Sequence, residues 1–326
     1  RNIWQQIRSI HDSRHNAAPN IIGTTDIPTT ITIDNTRMVQ AKKALTGYAG
    51  LKELKDLRKF IEAKQALLAS YQKRNRPRPW ADGLCLVGPP GTGKTFIAKK
   101  VIVPYLYGIG LIDRPTVKLV TIDQTSYGSH ATEGVRNLFH ETRGGALVIE
   151  KVGSLPTDNI YGTEAIRILA AEATNPENRR TLIILEGHGK EIDDLIFRHP
   201  ELESRFNQKI TFEHMSAKSL LKIVRTRAQE EGYRLSEDFE QHLLTIVPVA
   251  REVAGQNFGN IRWSMDMYEQ AKENMIVRTS YPPESASLVD DTCLTGQDLV
   301  TALRSEDPKL SRLLGPAPSV SPKTAP

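Results

Sequence analysis

The chain has 326 residues, of which 39% are hydrophobic and 25% charged, and its net charge is +5. This composition is that of a globular protein, and the length allows two domains. No apolar run approaches the roughly 20 residues that a membrane-spanning helix needs. The two cysteines, Cys85 and Cys293, are too few for a disulfide framework or a metal cluster. A helical membrane protein and a disulfide-stapled domain are thereby excluded, and we expect a reducing compartment, cytosol or nucleus.

The first part of the chain reads as a linker. Residues 1–40 are rich in Asn, Thr and Pro and lack sustained periodicity, apart from a β-prone piece at 29–33. Because the chain begins with Arg1 and shows no signal peptide, we expect it to be a piece of a longer polypeptide. Regular structure is predicted from about Met38, and a helix with a one-sided apolar stripe ends at the Pro-rich stretch 76–80. The stripe consists of Leu51, Leu54, Leu57, Ile61 and Leu68.

The positive charge is concentrated in this helix and the stretch after it. Residues 52–79 contain nine Lys/Arg and three Asp/Glu, a net charge of 9 − 3 = +6. Two interpretations remain open, a nucleic-acid patch or a solvated helix face with a basic linker beside bound phosphates. The segment lacks the interleaved aromatic residues of single-strand platforms, which favours the second interpretation.

A phosphate-binding loop is predicted at residues 88–95. Gly88, Gly93, Lys94 and Thr95 have the required spacing, with a buried strand predicted at 84–87 and a helix at 95–103. Glycines let backbone N–H groups approach phosphate oxygens, and the helix N-terminus adds its positive dipole end. Lys94 would contact the β- and γ-phosphates and Thr95 would bind Mg²⁺. The alternative is a plain glycine-rich turn. The residues predicted to contact nucleotide here are Pro89, Pro90, Gly91, Thr92, Gly93, Lys94, Thr95 and Phe96.

Strands and helices alternate after this loop, which predicts a parallel α/β sheet of five strands. Pro104 and Gly108 punctuate the chain after the loop helix. The further strands are predicted at 116–122, 145–149, 181–185 and 209–212, and the helices between them at 132–141 and 161–174. From Ser216 the pattern is helical only, at 217–231, 237–246, 260–277 and 295–303, with Thr295 as the N-cap of the last helix.

We therefore predict four regions: a linker at 1–40, an α/β nucleotide-binding domain at 41–213, an all-helical lid domain at 214–304 and a disordered tail at 305–326. In this order of elements the chain resembles an AAA+ ATPase, and more specifically the CbbX group, which includes red-type Rubisco activases and sporulation-stage-V-protein-K-like proteins. The resemblance runs from about Leu45 to Leu303. The segments that carry it are 50–55, 88–95, 127–130, 161–166, 199–205 and 258–262.

The resemblance implies roles for residues beyond the loop. Tyr48, Ala49 and Gly50 would border the adenine. Tyr127 would face a central pore that grips a polypeptide, or else be an exposed loop tyrosine. Arg205 matches the arginine finger that reaches the γ-phosphate of a neighbouring subunit, where a planar, permanent charge offsets charge in the transition state. A surface salt-bridge arginine is its alternative.

The lid is also implicated by the resemblance. Arg262 matches the second sensor, which couples the lid to the nucleotide.

The chain departs from the family at the end of the third strand. The family pattern there is Asp-Glu, in which the Asp orients Mg²⁺ and the Glu polarises the attacking water, whereas this chain has Glu150 and Lys151. Glu150 keeps a carboxylate, so it is predicted to serve the metal together with Thr95. An ammonium at position 151 cannot accept a proton, and we expect it to be buried and charged beside Glu150 and the triphosphate. His188 stands where a small polar residue is common, and is the first candidate for orienting water if hydrolysis is fast.

Three functions are therefore considered. The first is an ATP-driven motor that remodels a protein within a homo- or hetero-oligomeric ring, a hexamer in such families, with Mg²⁺ and ATP as cofactors. The second is a nucleotide-gated scaffold module of weak or absent activity beside active modules. The third, a nucleic-acid-directed ATPase, is disfavoured. We expect ATP binding with weakened hydrolysis, a protein client of unknown identity and no membrane partner.

Overall fold

A computed structural model describes residues 55–121, 131–152, 160–280 and 290–306, together with the single positions 36, 39 and 43. The predicted linker, the β-prone piece at 29–33 and the tail beyond 306 lie outside these residues, as do Leu51 and Leu54. None of the described helices is long and apolar enough to cross a bilayer.

Five parallel strands form one sheet in the order β2-β3-β4-β1-β5. The strands are β1 (Leu84–Val87), β2 (Val117–Thr121), β3 (Ala146–Glu150), β4 (Leu182–Gly187) and β5 (Gln208–Thr211). Because β1 lies between β4 and β5, and β3 beside β4, the loops after these strands share one edge of the sheet.

Helices precede, connect and follow these strands. In the sheet domain they are α1 (Lys55–Lys73), α2 (Lys94–Ile97), α3 (Val103–Gly108), α4 (Ala131–Thr142), α5 (Ile160–Thr174) and α6 (Gly189–Arg198). The lid contains α7 (Ala217–Glu230), α8 (Glu237–Ala254), α9 (Ile261–Ser280) and α10 (Gly296–Glu306). The predicted fold class, a five-stranded parallel sheet followed by a helical lid domain, is confirmed.

Both faces of the sheet are buried, which explains the uninterrupted apolar runs of its central strands. Side chains alternate along β1: Leu84 and Leu86 join the cluster that includes α1 and the helix after the loop, whereas Cys85 and Val87 join the cluster with α4, α5 and α6. Burial raises the pKa of the Cys85 thiol to about 12. Cys85 is therefore an inert core residue, as its position in an apolar strand predicts.

The helix that follows the phosphate-binding loop is longer than predicted. A π-helical turn, Ala98–Ile102, joins α2 to α3, and Pro104 lies at the start of α3 rather than ending the helix. In the π turn the Val103 N–H donates to the Ala98 carbonyl five residues earlier. This shift of the hydrogen-bond ladder accommodates a proline, which has no N–H to donate.

The lid differs from the prediction in two details. It contains a short parallel pair, β6 (Arg234–Leu235) with β7 (Cys293–Leu294), so it is not purely helical. Helix α8 continues past the predicted end at 246 to Ala254, with Pro248 inside it. Val247 and Ala250 are buried in the lid core, so packing there outweighs the hydrogen bond lost at the proline.

The basic segment is largely the exposed face of α1. Lys55, Arg58 and Lys59 are exposed, while Leu57 and Phe60 pack into the core. Lys64 is the exception among the basic residues of this helix, because it is buried and its ammonium donates to Asp82 at 2.7 Å. The helix is thus attached to the segment that leads into β1.

Candidate nucleotide-binding site

The predicted phosphate-binding loop joins the carboxyl end of β1 to the start of α2. Gly88 and Gly91 have φ angles of 149° and 66°, in the region that side chains rarely adopt. A Cβ atom on Gly88 would lie 2.2 Å from the Phe212 carbonyl oxygen, and one on Gly91 would lie 1.7 Å from the Gly259 carbonyl oxygen. The glycines are therefore required by the close approach of two backbone segments, Phe212 just after β5 and Gly259 in the lid.

The side chain of Lys94 folds back into the phosphate-binding loop. Its Nζ donates to the carbonyls of Gly88 (3.0 Å) and Pro89 (2.8 Å), and the residue is only 7% exposed. Burial lowers the pKa of this ammonium, Glu186 opposes that effect, and the nearby charge of Arg262 adds to it. The side chain is thus held within the loop, beside an acidic residue from β4 and a basic residue from the lid.

The Thr95 hydroxyl contacts side chains from two neighbouring strands. Its Oγ1 lies 2.9 Å from Glu150 Oε1, at the end of β3, and 2.8 Å from Glu186 Oε2, near the end of β4. Burial raises the pKa of the Glu186 carboxyl group, whereas the hydrogen bond from Thr95 and the charge of Lys94 oppose the rise. The structure thus brings the two predicted metal ligands, Thr95 and Glu150, together.

The sequence patterns do not assign Glu186 to the site, although a polar residue at the carboxyl end of an apolar parallel strand is a recognisable signal. The family resemblance points to His188 instead. The structure places His188 at the start of α6, where its backbone N–H donates to Glu191 at 3.1 Å. The Thr95 side chain has two described hydrogen bonds, one with Glu150 and one with Glu186, and neither involves His188.

Lys151 differs from expectation. Its side chain is exposed rather than buried beside Glu150, and its backbone is left-handed, with a φ of 52°. A lysine in this conformation carries a strain of about 1 kcal/mol or more. Residue 151 therefore turns the chain sharply at the end of β3.

The lid docks directly on the phosphate-binding loop. Asn260, fully buried, donates through Nδ2 to the Pro90 carbonyl at 3.0 Å, and its Oδ1 accepts from the Met215 N–H at 3.0 Å. The Ile261 N–H donates to the Gly91 carbonyl at 3.0 Å. Arg262 follows on α9 and is exposed, close enough to Lys94 to affect its pKa.

Asn260 gives a direct test of this docking. Its φ of 48° suits glycine, so Asn260→Gly removes the amide without straining the backbone. We expect the free energy of unfolding to fall by about 3 kcal/mol, because the half-buried Pro90 carbonyl and the buried Met215 N–H each lose their partner. Urea denaturation of the two proteins measures the difference.

The matched control is Asn257→Gly, because Asn257 is exposed and lies three residues earlier in the same segment. We expect its effect to stay within about 0.5 kcal/mol. If both variants lose the same stability, the amide of Asn260 does not hold the lid.

Arg205 lies at the opposite edge of the sheet, just before β5. Its guanidinium donates to the Ala81 carbonyl at 2.5 Å and lies over the Trp80 ring, 5.6 Å from the centroid. The residue is 7% exposed, and its Nε has no hydrogen-bond partner among the described residues. Arg205 and the phosphate-binding loop are therefore at opposite ends of β1, and Arg205 is not part of the site in its own chain.

The remaining predicted site residues divide into two groups. Pro89 and Thr92 are buried in the loop, where the Thr92 hydroxyl donates to the Pro89 carbonyl at 2.9 Å, whereas Phe96 is 49% exposed. Tyr48, Ala49, Gly50 and Tyr127 lie outside the described residues, and their roles stay predictions.

The donor set at Thr95 suits a magnesium–nucleotide complex. It consists only of oxygen atoms, a hydroxyl and two carboxyl groups, which Mg²⁺ prefers. Lys94 and Arg262 supply the positive charge that phosphate groups require. A glycine-rich loop at the carboxyl edge of a parallel sheet, with these residues around it, defines a P-loop nucleotide-binding protein.

The family follows from comparison with known proteins. Residues 84–214 match the ATPase family associated with various cellular activities (AAA), and residues 216–309 match the AAA lid domain. The chain therefore belongs to the AAA ATPases.

Two relatives show further similarity within that family, and one solved structure shows the same fold. A chloroplastic ribulose bisphosphate carboxylase/oxygenase activase from Cyanidioschyzon merolae is 28% identical over 71% of this chain and 76% of its own. The ESX-1 secretion system protein EccA1 from Mycobacterium leprae is 26% identical over 85% of this chain but only 51% of its own. The FIGL-1 AAA domain superposes with a TM-score of 0.50 at 18% identity, covering 85% of this chain and 91% of that one. The predicted resemblance to Rubisco activases is confirmed.

Proposed function

We propose that this chain is the ATP-binding module of a ring-forming, protein-remodelling AAA ATPase, and that hydrolysis at its own site is weak. The observation that carries this proposal is the convergence of Lys94, Thr95 and Glu150 below a lid that contacts the same loop. Similarity to the activase and to EccA1 supports the remodelling role. Assembly into a ring, the action on a client protein and localisation in the cytosol or nucleus are parts of the same proposal.

The residues divide the work as follows. Lys94 leaves the loop carbonyls to bind phosphate oxygens, and Thr95 and Glu150 hold the metal, which offsets phosphate charge when bound. Arg262 approaches the phosphates from the lid, so lid position and nucleotide contact change together. Because Lys151 is exposed and cannot accept a proton, no carboxylate stands at the position that normally orients the attacking water.

A second candidate is a nucleotide-gated scaffold without turnover, placed beside active modules in a longer chain or ring. The Lys151 substitution favours it over a full motor. Phosphate release at saturating Mg·ATP, measured for the chain alone and mixed with an active AAA module, separates the two. Turnover in the absence of the second module excludes the scaffold.

We also propose that Arg205 acts in trans. In its own chain it lies at the edge of the sheet away from the phosphate-binding loop, so Arg205→Ala is expected to leave the chain's ATP affinity unchanged. Hydrolysis by a neighbouring active module should fall by about a thousandfold, as when an arginine finger is lost. The measurement is phosphate release by mixed assemblies that contain the variant.

The matched control is Arg179→Ala, because Arg179 is exposed at the same edge of the sheet and its carbonyl accepts from the Ala81 N–H. This variant should leave the neighbour's turnover intact. A large loss of ATP affinity in isolated Arg205→Ala protein would place Arg205 in its own site and contradict the proposal.

A further inference from the structure

We propose that Glu186 is a second acidic residue of the magnesium site, contributed by β4 and positioned by Thr95. This inference rests on the proposed function. Glu186 Oε2 is 2.8 Å from Thr95 Oγ1, as close as Glu150 Oε1 at 2.9 Å. The two carboxyl groups come from neighbouring strands of the sheet, so the fold itself sets their separation.

The hydrogen-bonding capacity at Thr95 points to a cation. A hydroxyl group carries one proton, and it can donate to only one of the two carboxyl groups at a time. The three groups therefore present more oxygen lone pairs than they can satisfy among themselves. A hard cation with its water shell is the partner that such a set lacks. Its waters donate hydrogen bonds to the carboxylates, and the cation accepts a lone pair from the hydroxyl oxygen.

The surrounding charges make this role different from mere support of Thr95. Glu186 attracts Lys94 electrostatically, and Arg262 lies near the same ammonium. Beside ATP without metal, a negative Glu186 repels the triphosphate and competes for Lys94. Beside Mg·ATP, the same charge is attracted to the cation. Removing the charge should therefore change the two affinities in opposite directions.

Glu186→Gln tests this expectation, because it keeps the size and an acceptor oxygen but removes the charge. The probe is a fluorescent ATP analogue, and its Kd is measured once with Mg²⁺ in excess and once in EDTA. In the parent, Mg²⁺ should tighten binding. In the variant, we expect Mg²⁺-bound analogue to bind about tenfold more weakly, and metal-free analogue to bind more tightly than in the parent.

The matched control is Glu191→Gln. Glu191 also acts electrostatically on Lys94, but it accepts from the His188 N–H and not from Thr95. Its replacement removes the same charge from the same neighbourhood without touching the hydroxyl, so the Mg²⁺-dependent gain in affinity should be retained. A thermal melt of both variants checks that each is folded.

A second readout follows the metal alone. Mn²⁺ replaces Mg²⁺, and its electron paramagnetic resonance signal reports how much metal is bound in the presence of ADP. We expect Glu186→Gln to weaken Mn²⁺ binding about tenfold and Glu191→Gln to leave it unchanged.

The outcomes separate this inference from the proposed function. If the parent binds no nucleotide under either condition, the proposed function fails. If the parent binds Mg·ATP and folded Glu186→Gln shows an unchanged ratio of the two affinities, the role of Glu186 is refuted and the proposed function stands. Equal weakening with and without Mg²⁺ also refutes it, because that result indicates structural support of Thr95 alone.

Discussion

Replacing Lys94 by alanine is expected to abolish ATP binding in practice. Lys94 is only 7% exposed, and among the described residues its ammonium donates to the carbonyls of Gly88 and Pro89, so it is already placed where phosphate oxygens approach. A hydrogen bond to a charged group contributes about 1.5–3 kcal/mol, and loss of two such bonds weakens binding by roughly a hundredfold or more. Titration with labelled ATP measures the loss.

The control for Lys94→Ala is Lys99→Ala. Lys99 is exposed in the π-helical turn that follows the same loop, so the variant removes an equal charge from nearby surface. Its ATP affinity should stay within about threefold of the parent, since exposed charges are screened. ATP binding by Lys94→Ala as tight as in the parent would mean that residues 88–95 are not a phosphate-binding loop.

Restoring the family pattern at the end of β3 is expected to increase hydrolysis. The parent should bind ATP but release phosphate very slowly, because Lys151 is exposed and cannot act as a base. The double variant Glu150→Asp, Lys151→Glu should raise turnover by about a hundredfold, the lower range for a positioned general base. The measurement is phosphate release under saturating Mg·ATP, at protein concentrations that favour assembly.

Two single variants separate the causes of that increase. Lys151→Glu should help in part, because a carboxylate returns without the shorter metal ligand. Lys151→Ala should not help, since it removes the positive charge but supplies no acceptor. If the parent already hydrolyses ATP at about one per second, a rate ordinary for enzymes, another residue orients the water and the weak-site interpretation is wrong.

The sequence was sufficient for the sheet and the loop because their signals are local. Fixed glycine spacing, an apolar run on one side and a helix on the other identify residues 84–95. Helix α6 is absent from the predicted elements, although Ile192, Leu195 and Ile196 have helical spacing, because Gly187 and Gly189 are typical of a loop. The predicted end of α8 at 246 comes just before Pro248, a residue that locally favours a helix end, whereas packing of Val247 and Ala250 in the lid core continues the helix to Ala254.

The candidate site was predictable only in part. Thr95 and Glu150 follow from motif and strand pattern, but the contact of Thr95 with Glu186 spans 91 residues and depends on the order of strands. The bond between Asn260 and the Pro90 carbonyl spans 170 residues, and a pattern within the sequence does not reveal where the lid docks. Long-range register and domain docking are decided by packing, which local periodicity does not encode.

Four successive carbonyls of the phosphate-binding loop accept hydrogen bonds from two different sources, Lys94 and the lid. Those of Gly88 and Pro89 accept from Lys94, and those of Pro90 and Gly91 accept from the lid. A nucleotide that draws Lys94 away from the first pair alters a loop whose second pair anchors the lid. Thermodynamic linkage makes this coupling reciprocal: a neighbour that pulls on the lid changes ATP affinity by the same factor by which ATP changes the hold of that neighbour. If the chain assembles as proposed, the loop would therefore connect that assembly to nucleotide occupancy through the lid.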